Sequence, residues 1–191
     1  MEFELSQKLV NEVSMTIEEA GRRALKMVVP FLFISAIPFF LIHGWAAVRV
    51  ISMQGVGLFF LVSLVAIVIH ELIHALFFGL FSQGGFSSIR FGIDHKTFSP
   101  YCHPTGYMKV WVYRLGALGP LVILGIVPTL VSFFNGNIGY MFFGYLFSIA
   151  AGGDIISAWL TRHLSAGDII KDHSSKLGFY IISKDEMRGN V

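Results

Sequence analysis

The sequence predicts an all-α integral membrane protein with four transmembrane helices and a small cytoplasmic β-hairpin between the second and third helices. Three observations support this prediction. Only 14% of the 191 residues are charged and 54% are hydrophobic, whereas a typical soluble domain carries about 25% charged residues. The charges are concentrated in a few segments, which leaves long apolar runs between them. Nearly all positive charges also fall on one side of the predicted membrane.

Each apolar run is long enough to cross a bilayer as a helix. A span needs about 20 apolar residues, and only helices or closed barrels satisfy their backbone polar groups in lipid. The alternating pattern of barrel strands does not occur in these runs. The predicted spans are residues 27–48, 55–81, 115–134 and 137–160. Pro120 and Pro128 predict a kinked or loosened helix in the third span.

The segments outside the spans complete a single polytopic domain over residues 1–191. In residues 1–26 the apolar side chains recur at roughly helical spacing, which predicts either an amphipathic helix on the membrane surface or a short solvated helix. The loop 82–114 has strand candidates at 87–93 and 106–112 around a turn-rich stretch, which predicts the β-hairpin. Residues 161–191 form a polar tail.

The distribution of lysine and arginine predicts the orientation. Of the 14 Lys and Arg residues, all but Arg49 lie in the N-terminal stretch, the 82–114 loop or the tail. Because positive residues mark the cytoplasmic side, we expect a multi-pass protein of the cell membrane with both termini in the cytoplasm. The composition excludes a secreted globule and a nucleic-acid-binding protein. A single cysteine, Cys102, excludes an internal disulfide.

The second predicted span contains the sequence His70-Glu71-Leu72-Ile73-His74. Two histidines four residues apart lie on one face of a helix, so both imidazoles can reach one metal ion. Glu71, the next residue round the helix, can act on a water molecule at that ion as a general base. Such residues are costly inside lipid unless they face a metal or a polar interior. The pattern therefore predicts a Zn²⁺ site, and the alternative is a satisfied polar cluster or an inactive relic of a site.

A hydrolytic zinc site needs a third protein ligand and keeps one position for water. Asp154 is the only other acidic residue within a span, and it follows small residues that let helices approach closely. His74 lies 7 residues before Phe81 at the cytoplasmic end of the second span, and Asp154 lies 7 residues before Thr161, directly after the fourth span. We therefore predict Asp154 as the third ligand, whereas a packing hydrogen bond or a proton-relay role is the alternative.

Other histidines and aspartates lie outside the apolar runs. His43 and His163 lie near span ends and are expected to reach the lipid headgroups. The remaining polar residues could form a second metal site, although such scattered residues are more often turn and surface residues. These residues are Asp94, His95, His103, Asp172 and His173.

Taken together, these motifs resemble the site-2 protease group of intramembrane zinc metalloproteases, and most closely a bacterial family described as putative zincin peptidases. The supporting strings are HELIHALFF from His70, RFGI from Arg90, PYCH from Pro100, GGD ending at Asp154, and Asp172-His173. The resemblance implies metal binding by the two histidines and Asp154, with Glu71 as the catalytic base. Asp154 departs from the site-2 protease pattern, in which the aspartate precedes a glycine.

The leading hypothesis is a zinc metalloendopeptidase of the His-Glu-x-x-His type that cuts membrane-embedded or membrane-adjacent polypeptides near the cytoplasmic face. A substrate strand could add to an edge of the hairpin. The alternative is a non-catalytic zinc-binding membrane protein that acts as a sensor or scaffold. A small transporter that uses the same residues as an ion relay is a third class. The expected partners are a protein or peptide substrate and the lipid bilayer, and no nucleic acid.

Overall fold

Apolar helices dominate the computed structural model, which describes residues 11–50, 52–94 and 99–182 and is mostly helical (70%). Helix α1 covers Ile17–His43, and α2 covers Met53–Phe81. Helix α3 (Val110–Pro120) continues through a π-helical segment, Leu121–Ile126, into α4 (Val127–Asn135). Helices α5 (Ile138–Ala150) and α6 (Gly152–Leu160) follow. The π-helical segment begins directly after Pro120, so the third helix is loosened where the prolines predict it.

Three of these helices are long and apolar enough to cross a membrane. They are α1, α2 and the continuous stretch Val110–Asn135, with mean hydropathies of 2.2, 2.5 and 2.2. The pair α5 and α6 is bent by 49° and makes a fourth candidate only if it counts as one span. Large apolar side chains cover the outer faces of the long helices, and Leu41, Met53 and Phe134 are each more than four-fifths exposed. An apolar outer surface of this kind is typical of helices that face lipid.

Helix α1 begins ten residues earlier than the first predicted span, at Ile17 rather than residue 27. The Thr16 side chain accepts a hydrogen bond from the backbone N–H of Glu19 at 3.2 Å, which is the N-terminal cap of a helix. The preceding residues, Asn11–Met15, form strand β1 rather than the predicted helix. The apolar spacing that predicts a helix in this stretch is also compatible with a strand whose apolar side chains face inward.

The predicted hairpin is present, but its second strand lies elsewhere in the sequence. Strand β2 (Ile89–Ile93) pairs antiparallel with β3 (Pro100–Pro104), with Phe91 opposite Cys102. The strand predicted at 106–112 is present only as Tyr107–Lys109, and its pairing in the hairpin is wrong, because it forms β4 in a different sheet and α3 begins at Val110. Proline at both ends of β3 hides this strand in the sequence, since proline has no backbone N–H for a ladder.

A four-stranded antiparallel sheet corrects the all-α prediction. Its strand order is β1, β6, β5, β4, where β5 is Ile169–Asp172 and β6 is Leu177–Ile182. The sheet joins the N-terminal stretch, the loop before α3 and the tail, and its inner face packs on the C-terminal end of α2. Its strands are short and distant in sequence, so no local pattern indicates their pairing.

Candidate metal centre

His70 and His74 lie on the buried face of α2. They are one helical turn apart, their ring centroids are 4.9 Å apart, and they are only 8% and 6% exposed. The neighbouring Leu72 and Leu76 are about half exposed on the opposite, apolar face. The helix therefore directs both imidazoles toward the interior and its leucines outward.

Asp154 lies just after a break in the last helical segment. Helix α5 ends at Ala150, and α6 restarts at Gly152, so that Asp154 lies in the first turn of α6. A carboxylate is favourable at this end of a helix. At Gly152 a Cβ would lie 3.0 Å from the Cβ of Ala24 in α1, so a small residue allows this close approach between α6 and α1.

The three predicted ligands converge. Asp154 Oδ2 lies 3.2 Å from His70 Nε2, and Asp154 Oδ1 lies 3.4 Å from His74 Nε2. One potential ligand atom from each of the three residues lies within 4.8 Å of the others. Two imidazole nitrogens and one carboxylate are a ligand set used by catalytic zinc sites, with a further position left for water. In the described ranges this is the one group of three or more metal-ligating side chains.

The backbone of α3 fixes the orientation of His74. His74 Nδ1 donates a hydrogen bond to the carbonyl oxygen of Gly116 at 2.8 Å. With its proton on Nδ1, the neutral ring presents the lone pair of Nε2 to the cluster. Histidines that bind a metal almost always donate their other ring N–H in this way, so the residues present fit a zinc ion.

Glu71 lies beside the cluster and lines the same cavity. The cavity has a volume of about 230 Å³ and is bounded by α2, α3, α6, β3 and the end of β5. Glu71 is half-buried, and the backbone of Cys102 in β3 lies close to its carboxylate. The predicted general base is therefore in the cavity that borders the three potential ligands, and the hairpin touches it directly.

The cavity also has a second polar network, which the sequence does not predict. Asp172, at the end of β5, accepts a hydrogen bond from the Tyr113 hydroxyl at 3.1 Å. Its other oxygen accepts one from His103 Nδ1 at 2.7 Å. Tyr113 and Asp172 line the cavity together with Ser157. Sequence reasoning considered His103 and Asp172 only as members of a scattered second metal site, and it did not consider Tyr113.

The remaining histidines have structural surroundings. His173 contacts the Tyr180 hydroxyl at 2.8 Å and Glu12 at 3.5 Å, away from the metal cluster. His43 Nε2 donates to the carbonyl oxygen of Phe133 at 2.9 Å, so it joins α1 to α4. His163 is exposed, and His95 lies outside the described residues.

Comparison with known proteins gives one match. A family model described as "putative zincin peptidase" matches residues 63–167, which is more than half of the chain. The matched segment contains the histidine pair, Glu71 and Asp154, and it ends before Asp172. No curated protein and no solved structure matches the chain.

Proposed function

The chain belongs to the family of putative zincin peptidases, and on that premise we propose that it is an integral-membrane zinc metalloprotease. Its substrates are membrane-embedded or membrane-adjacent polypeptides, which it cuts near the cytoplasmic face. The observation that carries this proposal is the convergence of His70, His74 and Asp154 at the cavity that Glu71 lines. The outward apolar faces of the long helices support a location in the bilayer.

His70, His74 and Asp154 would hold the metal. When bound, Zn²⁺ supplies Lewis acidity that lowers the pKa of water and stabilises negative charge on a carbonyl oxygen. The hydrogen bond from His74 to Gly116 keeps the Nε2 lone pair directed at the cluster. The carboxylate of Asp154 adds the negative charge that a divalent cation needs in a mostly buried site.

Glu71 is the general base of the proposed reaction. It takes a proton from the water whose oxygen attacks the peptide carbonyl carbon, and it returns that proton to the amide nitrogen as the C–N bond breaks. A positioned base of this kind contributes about 10²–10⁴-fold to the rate. The carboxylate lies at the cavity wall, close to the backbone of Cys102.

The hairpin supports the substrate class. In the described part of the chain β2 and β3 form a sheet of their own, so an extended polypeptide can add as a further strand. Pro100, Tyr101 and Cys102 of β3 line the cavity. A substrate strand beside β3 would therefore bring its peptide bonds to the wall where Glu71 lies.

The experiment that tests the proposal is Glu71→Gln. The amide can hold a water molecule but cannot take its proton, so we expect zinc content to be retained and peptide hydrolysis to fall about 10²–10⁴-fold. Membrane proteomes of cells with wild type or the variant should then differ in at least one uncleaved protein. Glu18→Gln, which changes an exposed glutamate in the first turn of α1, is the matched control and should process normally.

Two outcomes would contradict the proposal. Equal processing by wild type and Glu71→Gln, with zinc bound in both, would remove Glu71 from the mechanism. Zinc binding by the wild type without any processed substrate would favour the alternative of a non-catalytic zinc-binding sensor or scaffold.

The proposed orientation has its own test. Reporter fusions after Val191 and within the 82–114 loop should both report the cytoplasm, because the Lys and Arg residues lie on that side. A fusion in the turn between α4 and α5 should report the opposite side of the membrane. A C-terminal fusion that reports the outside would overturn the orientation and move the expected cleavage to the other face.

A further inference from the structure

The β2–β3 hairpin is a wall of the candidate active site that stands apart from the larger sheet. Within the described ranges it pairs with none of the four strands of that sheet. The backbone at Cys102 nevertheless lies close to the carboxylate of Glu71, and both residues line the cavity. The position of the hairpin therefore determines what surrounds the carboxylate of the proposed base.

Besides the apolar cluster that Ile89 of β2 shares with Ile170 and Phe179, one hydrogen-bonded side-chain pair connects this hairpin to the tail. His103 in β3 donates from Nδ1 to Asp172 in β5 at 2.7 Å, and both side chains are about four-fifths buried. The other oxygen of Asp172 is occupied by the Tyr113 hydroxyl. Tyr113 is 3% exposed and packs edge-to-face on Phe179 of β6 at a centroid distance of 5.6 Å. Asp172 is thus held in place on one side and holds His103 on the other.

We propose that Asp172 is a positioning residue of the candidate active site, which acts through His103 to hold the hairpin against Glu71. Each carboxylate oxygen of Asp172 has its own donor, as expected of a group that joins elements rather than one that binds a metal. The consequence for peptide hydrolysis rests on the proposed function. The placement of the hairpin can be measured without a substrate.

Cys102 reports that placement. It is the single cysteine of the chain, it follows Tyr101 directly and it lies at the point where the hairpin meets Glu71. Burial, followed by the negative charges of Glu71 and Asp172, raises the pKa of the Cys102 thiol to about 12. The thiolate is the reactive form, so a thiol reagent should modify Cys102 slowly while the hairpin is in place.

The test is the rate at which a neutral maleimide labels Cys102 in the detergent-solubilised full chain, normalised to the denatured protein. His103→Gln should label about tenfold faster or more than wild type, because loss of a charge-assisted hydrogen bond favours local opening. This variant keeps the negative charge of Asp172, so electrostatics alone would not accelerate labelling. Asp172→Asn should also label faster.

Lys176→Gln is the matched control. Lys176, in the turn between β5 and β6, forms an ion pair with Glu12 of β1 at 2.7 Å, and neither residue belongs to the hairpin. We expect Lys176→Gln to label at the wild-type rate. A wild-type labelling rate for His103→Gln would overturn the proposal, since the contact with Asp172 would then not hold the hairpin. Equal acceleration in Lys176→Gln would also overturn it, since that result shows a general loosening of the protein.

Measurement of kcat and KM distinguishes a failure of this proposal from a failure of the proposed function. With a substrate identified from the Glu71→Gln comparison, His103→Gln should lower kcat more than it changes KM and should retain zinc. The double variant His103→Gln/Asp172→Asn should be no worse than the more affected single variant, because the two residues act as a unit. Faster labelling with unchanged kcat would overturn the positioning role alone. A wild type that hydrolyses nothing would overturn the proposed function and leave the labelling result standing.

Discussion

Two groups that combine histidine with aspartate lie at the same cavity, and they are built differently. In the first, the Nε2 atoms of His70 and His74 both face Asp154, at 3.2 and 3.4 Å. In the second, Asp172 accepts one hydrogen bond from His103 and another from Tyr113. Converging lone pairs are a ligand set for a cation, whereas fully paired oxygens make a structural connection. The same residue types thus have different chemistry because of their geometry.

The largest effect that would sharpen this comparison is the loss of metal. Purified wild-type protein should hold about one Zn²⁺ per chain, and His74→Ala should lose nearly all of it because a zinc site needs its three protein ligands. His103→Ala, the equivalent truncation in the second group, should retain the metal. Elemental analysis of the two variants measures both.

Two outcomes would contradict this distinction between the two groups. If His103→Ala lost zinc while His74→Ala kept it, the second group would be the metal site. If both variants kept zinc at the wild-type level, neither group would be a site for it.

The same comparison explains which parts of the site are predictable from sequence. The pairing of His70 with His74 depends only on helical periodicity, and the depth of Asp154 depends only on the rise per residue. Contact between His103 and Asp172 depends on where a hairpin lies relative to a strand of the tail. No local pattern encodes that placement, although the apolar pair Ile169-Ile170 before Lys171 and Asp172 is consistent with a short strand.

The fold divides in the same way. The apolar runs predict α2 within two residues, from 55–81 against the observed Met53–Phe81, because helix length in lipid follows from composition. They do not predict the break at Ala151, which divides the last run into α5 and α6. They also miss the four-stranded sheet, whose strands gain their stability from one another and from the end of α2 rather than from local propensity.

Asp154→Asn should have a smaller effect than loss of a histidine. The amide keeps an oxygen at the site but removes the negative charge that offsets the metal. Because changes to the surroundings of a metal ligand already cost about 10–100-fold in affinity, we expect at least that loss here. Competition with a zinc chelator measures it. Asp172→Asn is the matched variant in the second group and should leave zinc affinity unchanged, whereas equal losses would erase the distinction between the groups.

The smallest expected effect comes from Gly116, whose carbonyl oxygen accepts the hydrogen bond from His74. A Cβ at this position would overlap the ring of Phe78, which is 4% exposed and has little room to move. Gly116→Ala should therefore push α3 away from α2 and lengthen the hydrogen bond from His74 Nδ1 to the Gly116 carbonyl. We expect zinc affinity to fall by about tenfold, at the lower end of the range for changes to groups that orient a metal ligand. Overpacking of this kind should also destabilise the protein by ~1–3 kcal/mol.

Gly57→Ala is the control for that last variant. Gly57 lies in α2, where a Cβ would have no neighbouring atom within 4 Å, so alanine should leave zinc affinity unchanged and favour the helix by about 0.5–1 kcal/mol. Chelator competition and thermal unfolding of both variants in the same detergent measure the two effects. Wild-type affinity in Gly116→Ala, with the expected loss of stability, would show that packing tolerates the shift and that the Gly116 carbonyl does not orient His74. A loss of affinity confined to Gly116→Ala would instead tie the metal centre to the contact between α2 and α3.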